Sequence, residues 1–250
     1  GEWPDWLDQL KLERSLLPEV VAPGSITATV KAATRQRFNL ADDCQLVAGT
    51  TDSIAAFIAT GVSRPGEAVT SLGSTLVLKI ISEQPVFSAE YGIYSHKLGH
   101  HWLAGGASNS GGAVLKQFFS QAQLDQMTPL LEPEKATGLN YYPLCQPGER
   151  FPRNAPEQQP QLSPRPIDDM QFFQGILEGI SRIEHEGYQK LRELGANAPV
   201  SITTCGGGSR NPAWTAIRSH MTGVPVYTAQ HTEACYGSAL LARQGFENTL

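Results

Sequence analysis

Hydrophobic and polar positions divide the chain into short runs, strand-like or helical, and one long amphipathic period. Asp5 to Leu17 has the spacing of a short helix, which Pro18 and Pro23 in LPEVVAPG discourage from continuing. ITATV predicts a strand, KAATRQRFNL a short helix, and CQLVAG a buried strand that is apolar without clean alternation. In TTDSIAAFIATG an N-cap candidate precedes a helix-forming run that Gly61 can close. AVTSLGSTLVLKII, EYGIYSHKL and HWLAGGA are rich in β-branched and aromatic residues and broken by glycine, the pattern of an antiparallel meander. A further helix is expected from near Asn109.

From Asp125 to Pro166 the chain reads as loop, and QPGERFPRNAPEQQPQLSPRP is too dense in proline for regular structure. The longest helix is predicted from about Asp168 to Leu194. Phe173, Ile176, Ile180, Ile183, Gly187 and Leu191 recur every three or four residues and form one buried stripe, with Glu178, Glu184, Glu186 and Lys190 off it. Gly195 ends it. A strand from Val200 to Thr204, a helix from Pro212 to Thr222, a strand from Val224 to Tyr227 and a helix from Glu233 to Ala242 complete an α/β pattern.

Composition narrows the function classes. The 250 residues are 40% hydrophobic and 17% charged, enough for a substantial core. A net charge of −5 with no long basic run gives nucleic acid no electrostatic footprint. No stretch approaches the roughly eighteen apolar residues of a spanning helix, so no membrane partner is expected. GEWPDWLDQL lacks the basic-then-apolar order of a signal peptide, and a cytoplasmic location is expected. Cys44, Cys145, Cys205 and Cys235 never form Cys-x-x-Cys, and a hairpin through SHKLGHHW would scatter His96, His100 and His101 onto different faces. No metal site of the chain's own is expected.

The candidate chemistry lies in three glycine turns and one carboxylate. CGGGSRNPAW follows an apolar strand, and glycine there lets a ligand touch bare main chain. Asn211 stands at the N-cap and Pro212 at the first helical position, so the positive end of a helix faces the turn. That geometry suits a nucleotide or another anion, and serves equally as a plain chain reversal. GGASNSGG, Gly105 to Gly112, has the same layout, with Ser108 and Asn109 as caps. SLGST, Ser71 to Thr75, sets glycine among hydroxyls between two strands, as a phosphate-touching hairpin would. Asp52 in GTTDSIAAF can accept the proton of an alcohol, and can also simply cap its helix.

Taken together these segments resemble the FGGY carbohydrate kinases of the actin-like ATPase superfamily. AGTTDSIAAFIATG is similar to the segment carrying that family's catalytic aspartate, and GEAVTSLGSTLVLK to its second phosphate hairpin. PLCQPGERFP resembles the Gly-Glu-Arg-x-Pro loop of pentulose kinases. CGGGSRNPAWTAIRSHMTGVPV is similar to the adenosine-binding turn and helix, and EACYGSALLA to the closing helix. The wording GTTDSIAAF followed by TSLGST looks most like the D-ribulose kinase or xylulose-kinase-like branch of cyanobacteria and plants.

The resemblance implies an α/β fold of the actin-like ATPase (ribonuclease H-like) type, a mixed sheet flanked by helices. It implies ATP-dependent phosphorylation of a sugar hydroxyl, of a ketopentose such as D-ribulose or D-xylulose, with Asp52 as base and Mg²⁺ accompanying ATP. Thr70, Gly73, Ser74 and Thr75 would approach the transferred phosphate. Gly207, Gly208 and Asn211 would contact adenosine, and Gly105 and Gly106 would line the nucleotide side. The family's opening Asp-x-Gly-Thr hairpin is absent. The chain is therefore expected to be the second half of a two-domain kinase, with residues 1–22 ending the preceding domain and 23–250 forming the nucleotide-binding domain. Alone it should be nearly inactive, since catalysis needs both walls of the cleft. The competing expectations are a non-catalytic nucleotide-binding module and an ATPase or chaperone-like relative. Trp102 would stack on adenine or belong to the core, Glu149 and Arg150 read as substrate-side or as solvated surface, Glu233 as contacting the nucleotide region or favouring the start of its own helix, and Cys205 as buried filler.

Overall fold

A computed structural model describes residues 2–247; the outer ends of the expected domains, Gly1 and Leu250, lie outside the described residues. The chain divides into two compact units, one formed by residues 1–59 with 233–250 and the other by residues 60–232.

The first unit opens with two 3₁₀ turns, Asp5–Leu10 and Arg14–Leu16, where a single short helix is expected from the sequence. Lys11, in the left-handed region at φ 54, separates them. Strand β1 (Ile26–Thr29), helix α1 (Ala32–Phe38), strand β2 (Gln45–Val47) and helix α2 (Asp52–Ala59) follow, with β1 and β2 antiparallel.

The second unit is built on a six-stranded sheet. Strands β3 (Glu67–Leu72), β4 (Leu76–Ser82), β5 (Tyr94–Leu98) and β6 (His101–Ser108) form the expected antiparallel part. Helices α3 (Gln121–Met127) and α4 (Asp169–Glu193) come next, then strand β7 (Ser201–Cys205), helix α5 (Pro212–Thr222) and strand β8 (Val226–Thr228). The order is β5-β6-β4-β3-β7-β8, with β7 parallel to β3 and to β8, so the sheet is mixed. Helices α4 and α5 pack together on one face, closing a core of Leu76, Leu78, Ile80, Phe151, Phe173, Ile176, Ile180 and Ile202.

The chain then returns to the first unit as helix α6 (Ala234–Glu247), which packs on α2. Gly237 permits the contact, because a Cβ there would stand 1.8 Å from the Ala55 carbonyl oxygen.

Four expectations are corrected in the second unit. No helix starts at Asn109; a glycine loop leads instead to a single 3₁₀ turn, Leu115–Gln117. Ser108 therefore caps no helix: its hydroxyl donates to Glu149 Oε2 at 2.6 Å and accepts the Ser110 amide at 3.0 Å within the loop. The segment read as loop begins just after a real helix start, α3, closed by a reciprocal capping box between Ser120 and Gln123. Helix α4 is also buried more widely than one stripe: Glu178 and Glu184 are 5% and 1% exposed. Glu178 accepts from the Thr137 hydroxyl at 2.6 Å, so a polar network replaces solvent on that face.

Candidate functional site

Strands β3 and β7 lie side by side, parallel, and both run out into glycine at the same end of the sheet: Ser71 is level with Cys205, and Gly73 and Gly206 to Gly208 follow. Between the two turns opens a cavity of about 670 Å³. Gly73, Ser74, Gly207, Gly208 and Asn211 line it, so five residues singled out from the sequence converge on one space. A third wall comes from α3, whose Gln121, Leu124 and Asp125 are spaced three and four apart and share one face. Lys116, Arg210 and Asp125 supply the charged side chains of the lining, two cations against one carboxylate.

The three glycines after β7 have different jobs. Gly206 sits at φ +87, where a side chain is strained, and a Cβ would press on the Leu72 carbonyl oxygen at 2.8 Å. At Gly208 a Cβ would run into the Leu72 side chain at 2.5 Å. At Gly207 nothing lies within 4 Å, so its main chain is the part open to a ligand. Asn211 is the N-cap of α5: its Oδ1 accepts the Trp214 amide at 2.9 Å, and its Nδ2 reaches Thr128 Oγ1 at 3.4 Å, tying the α5 wall to the α3 side. The cap uses the Trp214 amide, and Pro212 has no N–H, so this helix end offers mainly its dipole.

The hairpin β3–β4 is held from behind by the other glycine segment. Gly112 N–H donates to the Gly73 carbonyl at 2.9 Å, Ala113 N–H to the Ser74 carbonyl at 3.2 Å, and Leu76 N–H to the Ser110 carbonyl at 2.8 Å. Cβ atoms at Gly111 and Gly112 would strike the hairpin backbone at 2.6 and 2.8 Å. Ser74 and Thr75 stay exposed at the tip.

Other expected residues sit elsewhere. Thr70 is fully buried, and its hydroxyl donates to Glu184 Oε1 at 2.5 Å and lies 2.8 Å from the Tyr188 hydroxyl; its side chain is committed to the core. Gly105 and Gly106 lie inside β6 and do not line the cavity: a Cβ at Gly105 would meet the Leu78 carbonyl oxygen at 2.6 Å, and one at Gly106 the Phe151 ring at 2.7 Å. Trp102 lies near the other end of β6, beneath the Lys97 ammonium at 4.5 Å. Asp52, in the first unit, is exposed as the first residue of α2, where its Oδ1 accepts the Ser53 amide at 2.7 Å. Glu233 and Cys235 also belong to that unit.

Two polar clusters are buried in the second unit. Glu149, 2% exposed, accepts from the Ser108 hydroxyl, the Asn109 amide, the Tyr142 hydroxyl and the Arg150 amide. It is a buried hub and not solvated surface, and burial followed by its charge pushes the Tyr142 phenol well up. Arg218 and Glu184, each 1% exposed, form a bidentate pair at 2.6 Å, and Arg218 also donates to Thr204 Oγ1 at 2.6 Å. Burial alone would lower the Arg218 pKa; the Glu184 charge and hydrogen bonds outweigh it and hold it raised. The Arg218–Glu184 cluster has no sequence signature, because its members stand 14 to 114 positions apart, whereas Glu149 lies in the GERF segment and gathers partners 1 to 41 positions away. The capping box Ser120-x-x-Gln123, by contrast, was a local signal for the α3 wall.

The model of the C-terminal domain of the FGGY family of carbohydrate kinases matches residues 68–244. A xylulose kinase of Staphylococcus epidermidis is 24% identical over 243 residues, covering 92% of this chain and 48% of that protein. Ligand-bound xylulose kinase from Lactobacillus acidophilus superposes with a TM-score of 0.79 at 18% identity, over 99% of this chain and 52% of that one. Plasmodium falciparum glycerol kinase with ADP gives 0.79 at 17% identity, over 99% and 51%. The chain thus spans about half the length of the relatives it matches. Its fold is that of an actin-like ATPase half, a mixed sheet flanked by helices. No helix among the described residues is long and apolar enough to cross a membrane. The chain belongs to the FGGY family of carbohydrate kinases, whose C-terminal domain it carries.

Proposed function

We propose that this chain is the nucleotide-binding half of a cytoplasmic sugar kinase that moves the γ-phosphoryl group of ATP to a hydroxyl of a ketopentose such as D-ribulose or D-xylulose. The supporting observation is the convergence of Gly73–Ser74 and Gly207–Asn211 on one cavity with open main chain and a surplus of cationic lining. A purine nucleoside fits the wall of Gly207, Gly208 and Trp214, where apolar surface and bare backbone accept a flat group. The phosphates then point toward the exposed Ser74–Thr75 tip, whose small side chains and amides suit an anion. Support for a pentulose comes from the relatives named xylulose kinase.

Among the described residues no three acidic, histidine or cysteine side chains converge. Mg²⁺ would arrive on the nucleotide, held largely by phosphate oxygens and water. When bound it supplies charge neutralisation on the transferring group. In this reading residues 1–22 end the sugar-side domain and 23–250 form the nucleotide side. Asp52 orients the attacking hydroxyl and takes its proton as the oxygen bonds to phosphorus and ADP leaves. A carboxylate suffices for this, because in a loose transition state most developing charge is carried by metal and cations.

The test is ADP formation from ATP with D-xylulose or D-ribulose in the full-length enzyme carrying this chain, with Asp52→Asn beside it. The variant should lose about 10²- to 10⁴-fold in kcat while still binding ADP. Unchanged turnover would remove Asp52 from catalysis, and no turnover in either protein with ADP still bound would leave a non-catalytic nucleotide module.

A further inference from the structure

We infer that the buried pair Glu184–Arg218 is a positioning device that sets both glycine turns of the cavity at once. Thr70 on β3 and Thr204 on β7 are register partners across the parallel ladder. Each stands three residues before a cavity glycine, Gly73 and Gly207. The Thr70 hydroxyl donates to Glu184 on α4, at 2.5 Å, and Arg218 on α5 donates to the Thr204 hydroxyl at 2.6 Å. The carboxylate and guanidinium close the loop through two bonds at 2.6 Å. Thr70, Glu184, Arg218 and Thr204 therefore form one bracket joining two strands to two helices just before both strands become ligand-facing main chain. All four are 0–1% exposed.

Two features distinguish the bracket from generic core packing. An ion pair buried this deeply gains little over apolar packing for stability and is costly to break, so its use is to enforce one geometry. Its planar, doubly hydrogen-bonded form is also intolerant of sliding. A shift of β3 against β7, which would move Gly73 relative to Gly207, breaks at least one of the hydroxyl bonds. None of the four side chains touches the cavity, so they act through the turns and are positioning residues.

The test uses the 250-residue chain carrying Thr70→Val or Thr204→Val, which keep side-chain shape and remove one hydroxyl, with Thr70→Ser and Thr204→Ser as rescues. Two quantities are read: backbone amide exchange at Gly73–Ser74 and Gly206–Gly208, and ADP affinity by calorimetry. The valine variants should speed exchange at both turns by about tenfold while the β5–β6 hairpin is unchanged, and the serine variants should restore it. Faster exchange everywhere, a change confined to the turn on the substituted strand, or no change would each overturn the inference. If one valine variant does not fold, the other carries the same readout from the opposite strand; if neither folds, exchange at the two turns in the serine variants decides it, native-like rates upholding the bracket and faster ones overturning it.

The affinity arm rests on the nucleotide reading, with ADP binding expected to weaken about tenfold in the valine variants. The exchange arm does not rest on it. An unsubstituted chain that binds no ADP would sink the nucleotide reading and leave exchange to decide the bracket, whereas ADP binding that is equal in all variants would sink the bracket alone.

Discussion

LAGGAS in β6 and CGGGS after β7 are spelled alike, yet Gly105 and Gly106 of the first and Gly207 of the second end in opposite surroundings. At Gly105 and Gly106 the space a side chain would take is filled by the Leu78 carbonyl and the Phe151 ring. At Gly207 that space is empty within 4 Å. Glycine is needed in the first place because protein is too close, and in the second it leaves room for something that is not protein. Glycine density alone does not separate the two, since both arise wherever backbone must be approached closely. Gly111 and Gly112 lie between these cases: they face the Gly73–Thr75 hairpin, serving the cavity by bracing its wall.

Substitutions can break this contrast. Gly106→Ala should have the largest effect, because a methyl group at 2.7 Å from an aromatic ring in a closed core forces both to move. A loss of about 1–3 kcal/mol is expected, seen as a Tm several degrees lower. A thermal midpoint unchanged within a degree would mean that β6 is as open as the β7 turn.

An alkaline titration sharpens the contrast from behind the cavity. Burial first, then the Glu184 charge, raises the Tyr188 pKa above its ordinary 10.0. Below pH 10.0 the phenol is neutral in folded and unfolded chains alike, and its contribution is fully present. Above that value the unfolded chain ionises first, so stability drains away by about 1.4 kcal/mol per pH unit from this group. Tyr188→Phe should flatten the urea-derived stability curve between pH 10 and 11 by that amount, and an unaltered slope would show that the phenol titrates freely.

The smallest structural effect belongs to Gly207→Ala. Stability should stay within about 0.5 kcal/mol of the unsubstituted chain, since the added methyl meets nothing. ADP affinity measured by calorimetry should nonetheless fall by about three- to tenfold, because the methyl occupies the ligand's approach to the backbone. Full affinity with the methyl in place would move the ligand off this turn.

The asymmetry between walls also explains which parts of the site were legible in the sequence. The β7 turn announces itself because strand, glycines, Asn211 and Pro212 are consecutive, and each has a local conformational reason. The β3–β4 hairpin is legible for the same reason. The α3 wall is less legible: Ser120 and Gln123 mark its start, but the helix is only seven residues long and Pro129 and Pro133 follow it closely. Thr70 is legible as part of β3, but the face its side chain takes is not. Which face of β3 meets α4 follows from where Glu184 and Tyr188 lie, more than a hundred positions later.

By itself, then, the sequence determined what depends on neighbours along the chain: the amphipathic period of α4, the cap and proline that start α5, the glycine turns, and the order of motifs that marks the family. Only the tertiary structure decided which glycines are open, that Glu149, Glu184 and Arg218 are buried together with their partners, and that α3 closes the cavity. The physical reason is that backbone conformation and capping act over a few residues, whereas burial and charge pairing depend on which surfaces meet, and α4 meets β3, β4, β6 and α5 only once the whole sheet has formed.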